Sequence, residues 1–185
     1  MIEELEIVKT MEKVGAWPLD TEKDKEEQIS KILLDVFGAV NKAYEWDSPS
    51  EIWFVSETDD WIGMYKVLTV IQGHIKHILR SLEPMPATGP INGVILVNEG
   101  WGLDSSKLAE GESWKDWAGK VADHLAAVEC RMLNYYNLDH SWMLNYVRGT
   151  KEPDITQFSL NSDKYEGEVV DSLRYFMRNY IKENQ

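Results

Sequence analysis

The side chains that could carry chemistry in this sequence are few and scattered. His74 and His77 stand three residues apart, a spacing that on a helix brings both imidazoles near one face. A zinc site would need at least one more ligand, from His124, His140 or Glu99, brought in by the fold. No cysteine pair and no HExxH run accompanies them, so the pair is not by itself a metal motif, and no metal or cofactor is expected. Glu99 follows an apolar run and precedes Gly100-Trp101, where a carboxylate partly desolvated by the indole could act as a general base. No partner acid, base or nucleophile stands near it in the chain, so hydrogen bonds from Asn98 and Glu99 to local backbone are the plainer assignment. Glu99, His74 and His77 are thus the candidate catalytic residues of a small hydrolase, without a complete constellation. Asp104-Ser105-Ser106 reads as a helix N-cap, and Cys130, in mid-strand, as a small buried hydrophobe. The glycines form neither a phosphate-cradling loop nor a dinucleotide fingerprint.

A second candidate is a surface. Ala126–Tyr136 and Ser141–Arg148 read as two strands of a hairpin turning at Asn137-Leu138-Asp139-His140. With Leu138-Asp139 at the tip, Tyr136 faces Ser141, Tyr135 faces Trp142, Leu133 faces Leu144 and Glu129 faces Arg148. One face then carries Glu129, Arg131, Leu133, Tyr135, Trp142, Leu144, Tyr146 and Arg148, mixing charge and aromatics as recognition surfaces do. The other carries Val128, Cys130, Met132, Met143 and Val147, the expected core. Tyr135, Trp142, Leu144 and Arg131 are the predicted interaction residues, unless a helix of the same chain covers them. Trp142 is expected to stay partly exposed or to be buried only by a second subunit.

The elements that must position these groups follow from periodicity. Apolar residues from Ile29 to Tyr44 recur in steps of three and four, predicting a helix over Thr21–Tyr44 capped by Asp20 or Thr21. Ile52–Val55 reads as a buried strand, although Ser48-Pro49-Ser50-Glu51 also resembles a helix start. The spacing of Trp61, Tyr65, Leu68, Ile71, Ile75, Ile78 and Leu82 predicts a second helix over Thr58–Leu82, ended by Pro84 and Pro86. Val94–Val97, apolar throughout, suits a central strand covered on both faces. Residues from Ser105 to about Ala122 read as a polar, partly helical excursion broken at Gly111 and Gly119. Residues Thr150–Lys164 read as a loop and Gly167–Ile181 as a closing helix, while residues 1–18 read as loosely ordered. The order α-β-α-β-(α)-β-β-α predicts a single α+β domain with a mixed or antiparallel sheet of about four strands.

Composition narrows the class of function. The chain has 185 residues, 43% hydrophobic and 11% aromatic, enough apolar surface for one cored domain. Its net charge of −13 repels phosphate backbones and anionic lipid, so neither direct nucleic-acid binding nor membrane binding is expected. A DNA-mimicking acidic surface is an alternative, weakened by lysines interleaved with the acids, as in Glu22-Lys23-Asp24-Lys25-Glu26-Glu27. A single cysteine and an acidic N-terminus without a long apolar run point to a reducing, cytoplasmic setting.

Several landmarks occur together: Trp46-Asp47-Ser48-Pro49 before an aromatic strand, Val97-Asn98-Glu99-Gly100-Trp101 after an apolar one, and the strands Val128-Glu129-Cys130-Arg131-Met132 and Tyr146-Val147-Arg148-Gly149. Together they resemble a set of uncharacterised small proteins of actinobacteria and their bacteriophages, over roughly Ala43 to Arg148. The resemblance implies a fold pattern and a phage or accessory origin, and it carries no chemistry. The function expected from the sequence is therefore a non-enzymatic interaction protein that binds a protein partner or itself. The hydrolase and the DNA mimic stand as alternatives.

Overall fold

The computed structural model describes residues 10–68, 90–117, 119–159 and 168–184. Helix α1, Lys25–Ala43, forms where the apolar stripe predicts it, burying Ile29, Leu33, Val36, Phe37 and Val40. Its cap is Asp24 rather than Asp20 or Thr21: Asp24 Oδ1 accepts the Glu27 N–H at 2.7 Å. The preceding turn is tied down by the Gln28 side chain, which accepts from Asp20 N–H at 2.8 Å and donates to Asp20 O at 2.9 Å.

The described strands are β1 (Thr10–Pro18), β2 (Glu51–Glu57), β3 (Trp61–Leu68), β4 (Gly93–Leu103), β5 (Ala127–Asn137), β6 (His140–Val147) and β7 (Asp154–Ser159). They form one sheet in the order β1-β3-β2-β4-β5-β6-β7, every neighbouring pair antiparallel. The α+β class and the interior position of Val94–Val97 in β4 agree with the sequence reading. The strand count does not: seven strands replace about four.

The strands beyond the expected four have physical explanations. Residues 10–18, read as loose, are edge strand β1 against β3. Residues 154–159, read as loop, are edge strand β7 against β6. The predicted helix over Thr58–Leu82 is contradicted in its first part, where Trp61–Leu68 is β3; residues 69–82, with His74 and His77, lie outside the described residues. Ile62 and Met64 bury on one face of β3 and Tyr65 and Val67 on the other, so burial on both sides removed the alternation that marks a half-buried strand. The turn that enters β3 also lacks glycine: Thr58 N–H bonds Trp61 O at 2.9 Å, and Thr58 Oγ1 donates to Asp60 Oδ1 at 2.7 Å. The β5–β6 tip uses a comparable device. Asn137 Oδ1 accepts Asp139 N–H at 2.9 Å and His140 N–H at 2.6 Å, closing a two-residue turn with a side chain instead of a glycine.

Among the described residues each sheet face has a helix packed on it. α1 packs with Trp53, Val55, Ile62, Met64, Ile95, Val97, Leu133, Tyr135, Trp142 and Leu144. Helix α2, Glu168–Asn184, lies against the opposite face, where Phe176 stacks on Phe54 at 5.8 Å and Leu173 and Met177 are fully buried. The hairpin register is as the sequence reading has it, but its faces are exchanged. The charged and aromatic face is the one beneath α1; of the expected core face Cys130 is buried as read, while Val128, Met132, Met143 and Val147 are only half-buried. Trp142 and Tyr135, stacked at 5.3 Å, are 0% exposed. The expectation of an exposed Trp142 is therefore wrong, because α1 covers the tip half of this face. Between β4 and β5 the chain makes short 3-10 turns at Ser105–Lys107, Trp114–Trp117 and Val121–Asp123. Among the described residues, no helix is long and apolar enough to cross a membrane.

Candidate functional site

β4, β5 and β6 run past the C-terminal end of α1, and their uncovered ends make a small platform. Register places Glu99 beside Arg131 and Arg131 beside Tyr146; one step further, Trp101 lies beside Glu129, whose carbonyl accepts Arg148 N–H at 2.9 Å. Period-two alternation puts all six side chains on the α1 side of the sheet.

The loop after α1 folds over this platform. Asp47 takes a left-handed backbone (φ 68°), which aspartate tolerates better than most residues, and its N–H donates to Glu99 Oε2 at 2.6 Å. Ser48 Oγ donates to Glu45 O at 2.7 Å, tightening the turn. Trp46 is thereby laid across the platform. Its ring lies 6.2 Å from that of Tyr146, near parallel, with the Arg131 and Arg148 guanidinium carbons at 4.9 and 5.1 Å from its centroid. Arginines over an indole face are held by its quadrupole.

Arg131 is the fastener. It is 2% exposed, and its N–H groups are taken up by Glu99 Oε1 (from Nε at 2.9 Å and Nη2 at 2.5 Å), Asn41 Oδ1 and Tyr44 O (both from Nη1 at 3.3 Å) and Glu45 O (from Nη2 at 2.7 Å). A guanidinium with five committed donors cannot serve a partner. Arg131, predicted as an interaction residue, instead binds the end of α1 to the sheet. Leu144, Tyr135 and Trp142 join it as interior residues. Glu99 is committed too, with Arg131 on one oxygen and Asp47 N–H on the other.

The described histidines are engaged away from Glu99. His140 pairs with Glu26 at 2.9 Å, at the tip end of the hairpin. His124 Nδ1 accepts Ala126 N–H at 2.9 Å, so its Nε2 carries the proton and meets Glu112 Oε1 at 3.1 Å. The same Glu112 oxygen accepts Trp117 Nε1–H at 2.7 Å. Glu112 has its pKa lowered, first by the Ala109 backbone N–H and then by Trp117. This cluster pins the excursion of residues 104–126 to itself. Burial pushes the Cys130 thiol up, so it stays a thiol at neutral pH. Among the described residues no group of three His, Cys, Asp or Glu side chains is placed to hold a metal ion.

No family model, curated protein or solved structure matches this chain. What the corner can do must therefore be read from its own groups. The residues that stay open are Trp101 at 52% exposed, the half-buried Trp46 and Tyr146, and Arg148, whose side chain is 53% exposed and tied to Glu129 at 2.6 Å. Trp, Tyr and Arg are the residue types that dominate binding energy at protein interfaces. Trp46, Glu99, Trp101, Glu129, Arg131, Tyr146 and Arg148, spread over a hundred positions, converge here. Hairpin register alone placed Glu129, Tyr146 and Arg148 on one face. Trp46 and Trp101 were missed as site residues because only the fold of the α1–β2 loop and the length of β4 bring them in.

Proposed function

We propose that this chain is an interaction protein that docks a protein partner through the corner formed by Trp46, Trp101, Tyr146 and Arg148. The observation that carries the reading is Trp101, a large indole more than half exposed at the end of the central strand, beside a stacked Trp-Tyr-Arg cluster whose own charges are already paired. A pre-formed aromatic surface with compensated charge supplies contact area at little ordering cost. The hydrolase reading gains no support, since both Glu99 oxygens are occupied and the described histidines are engaged elsewhere. The DNA-mimic reading gains none either. Described carboxylates such as Glu27, Glu51, Glu57 and Asp104 pair with lysines rather than forming an uncompensated array.

The test compares tagged wild type with Trp101→Ala and Arg148→Glu in quantitative capture from native host lysate, with thermal melting of each variant alongside. The reading expects a specific protein held by wild type and lost from both variants, each still folding cooperatively with Tm lowered by only about a few degrees. Equal capture by all three, or no capture by wild type, would end it.

A further inference from the structure

A cleft of about 530 Å³ separates α1 from edge strand β1, on the side of α1 away from the Trp101 end of β4 but sharing Tyr44, whose carbonyl Arg131 holds. It exists because three features leave the space unfilled. On α1 the stripe facing β1 carries only methyl groups at Ala39 and Ala43. On β1 the register slips between Lys13 and Gly15, and the intervening Val14 lines the cleft. Trp17 on the same strand lies back over Gly15, where an added Cβ would come within 2.5 Å of the indole.

The inner end is polar and built. Lys66 is paired with Glu51 and lies 3.2 Å from the Tyr44 hydroxyl, while Tyr44 OH and Trp53 Nε1 each donate to Glu51 Oε2 at 3.0 Å. Lys66 and Glu51 are mostly buried, with side chains 22% and 14% exposed. Burial lowers the Lys66 pKa, but the hydrogen bonds to Glu51 and Tyr44 outweigh it, and the net shift is upward. The ammonium therefore stays charged, and among the described residues it spends two of its three N–H bonds, on Glu51 and Tyr44, leaving one to give. The ionisable lining (Lys13 and Lys66 against Glu12 and Asp35, with Glu51 behind) is close to charge balance and slightly negative. An anion therefore gains nothing by entering.

We propose that this cleft is a binding site for a small, neutral, planar aromatic molecule carrying one carbonyl. The rings would lie between Trp17 and the Ala39/Ala43 face, and the carbonyl would accept the free Lys66 N–H. The volume is in the range of small-ligand sites, which combine apolar walls with one or two placed polar groups. None of Trp46, Trp101, Tyr146 and Arg148 lines the cleft, so the proposal does not rest on the protein-docking reading.

Coumarin, a neutral bicyclic lactone, is the probe, with coumarin-3-carboxylate as its anionic counterpart. Titration into ¹⁵N-labelled full-length protein should shift the Trp17 and Trp53 indole N–H signals saturably and leave those of Trp46 and Trp101 in place. The carboxylate should bind more weakly. Ala39→Phe and Ala43→Phe, at exposed helix positions that admit a ring without disturbing the core, should abolish the shifts at unchanged Tm. Lys66→Met should weaken coumarin about tenfold, the size of one charge-assisted hydrogen bond. The proposal is overturned if no saturable shift appears up to the solubility limit. It is also overturned if well-folded Ala39→Phe and Ala43→Phe bind as wild type does, or if the carboxylate binds as well as coumarin.

Discussion

Replacing Arg131 with methionine tests the account of the corner most directly. The change keeps much of the aliphatic stem and removes five donated hydrogen bonds. It leaves the Glu99 carboxylate, 14% exposed, with only the Asp47 N–H, and strips donors from the Tyr44 and Glu45 carbonyls. Removing one member of a buried ion pair costs about 3–5 kcal/mol, most of it from the stranded charge. For a chain of this size that is a fall in Tm of about 6–20 °C, at roughly 2–4 °C per kcal/mol. Arg148 is the internal control, since it also touches Trp46 and pairs with a glutamate but is half exposed, so Arg148→Met should cost under about 1 kcal/mol. Urea unfolding with a shared m-value gives both numbers. The double variant Glu99→Met with Arg131→Met should be less damaged than the sum of the singles, because no buried charge is left unpaired. If Arg131→Met loses less than about 1 kcal/mol, or the double variant loses the full sum, the buried-fastener reasoning fails.

Three further outcomes are expected. Trp142→Ala should cost about 3–5 kcal/mol as a core truncation, whereas Trp142→Phe should recover most of it, because the buried Trp142 Nε1–H has no hydrogen-bond partner to lose; equal losses measured by urea unfolding would contradict the packing described. Burial, with the Glu57 carboxylate beside it, holds the Tyr135 phenol well above its usual pKa. A raised folded-state pKa contributes stability that is complete below the unfolded value near 10 and lost as pH climbs past it, so the stability advantage of wild type over Tyr135→Phe should shrink above about pH 10; a gap that stays constant to pH 11 would refute this. Asp104, held down to about 2 by the Ser106 hydroxyl and Lys107, should titrate in carboxyl-detected NMR well below an ordinary aspartate, and a value near 3.8 would dissolve that turn.

The parts legible in the sequence are those where one physical signal dominated. α1 declared itself because its stripe is buried on one side only. The β5–β6 register followed from turn geometry and opposite-charge placement, and the Arg148–Glu129 pair at 2.6 Å fits it. Strand β3 was lost because burial on both faces erases period two, and because Thr58 and Asp60 replaced glycine in its turn. The hairpin faces were exchanged for a related reason. Arg131 was read as part of a recognition surface, yet a charged residue can be interior when its donors are matched, and much of that matching comes from the Asn41 side chain and the Tyr44 and Glu45 carbonyls some ninety residues away. No local pattern encodes those partners.

The same long reach has a consequence for how the chain comes into being. α1 is made early, but much of what covers its stripe, Leu133, Trp142 and Leu144, belongs to strands synthesised later. At about 5–20 residues per second, roughly a hundred residues of delay leaves that part of the stripe uncovered for about 5–20 s on the ribosome. Contacts this distant in sequence also close slowly once the chain is free. The nascent N-terminal half thus carries a helix covered by β2, β3 and β4 but not yet by β5 and β6, and an unfinished sheet. Aggregation yield during expression should respond to temperature and chaperone supply far more than the stability of the finished molecule would suggest.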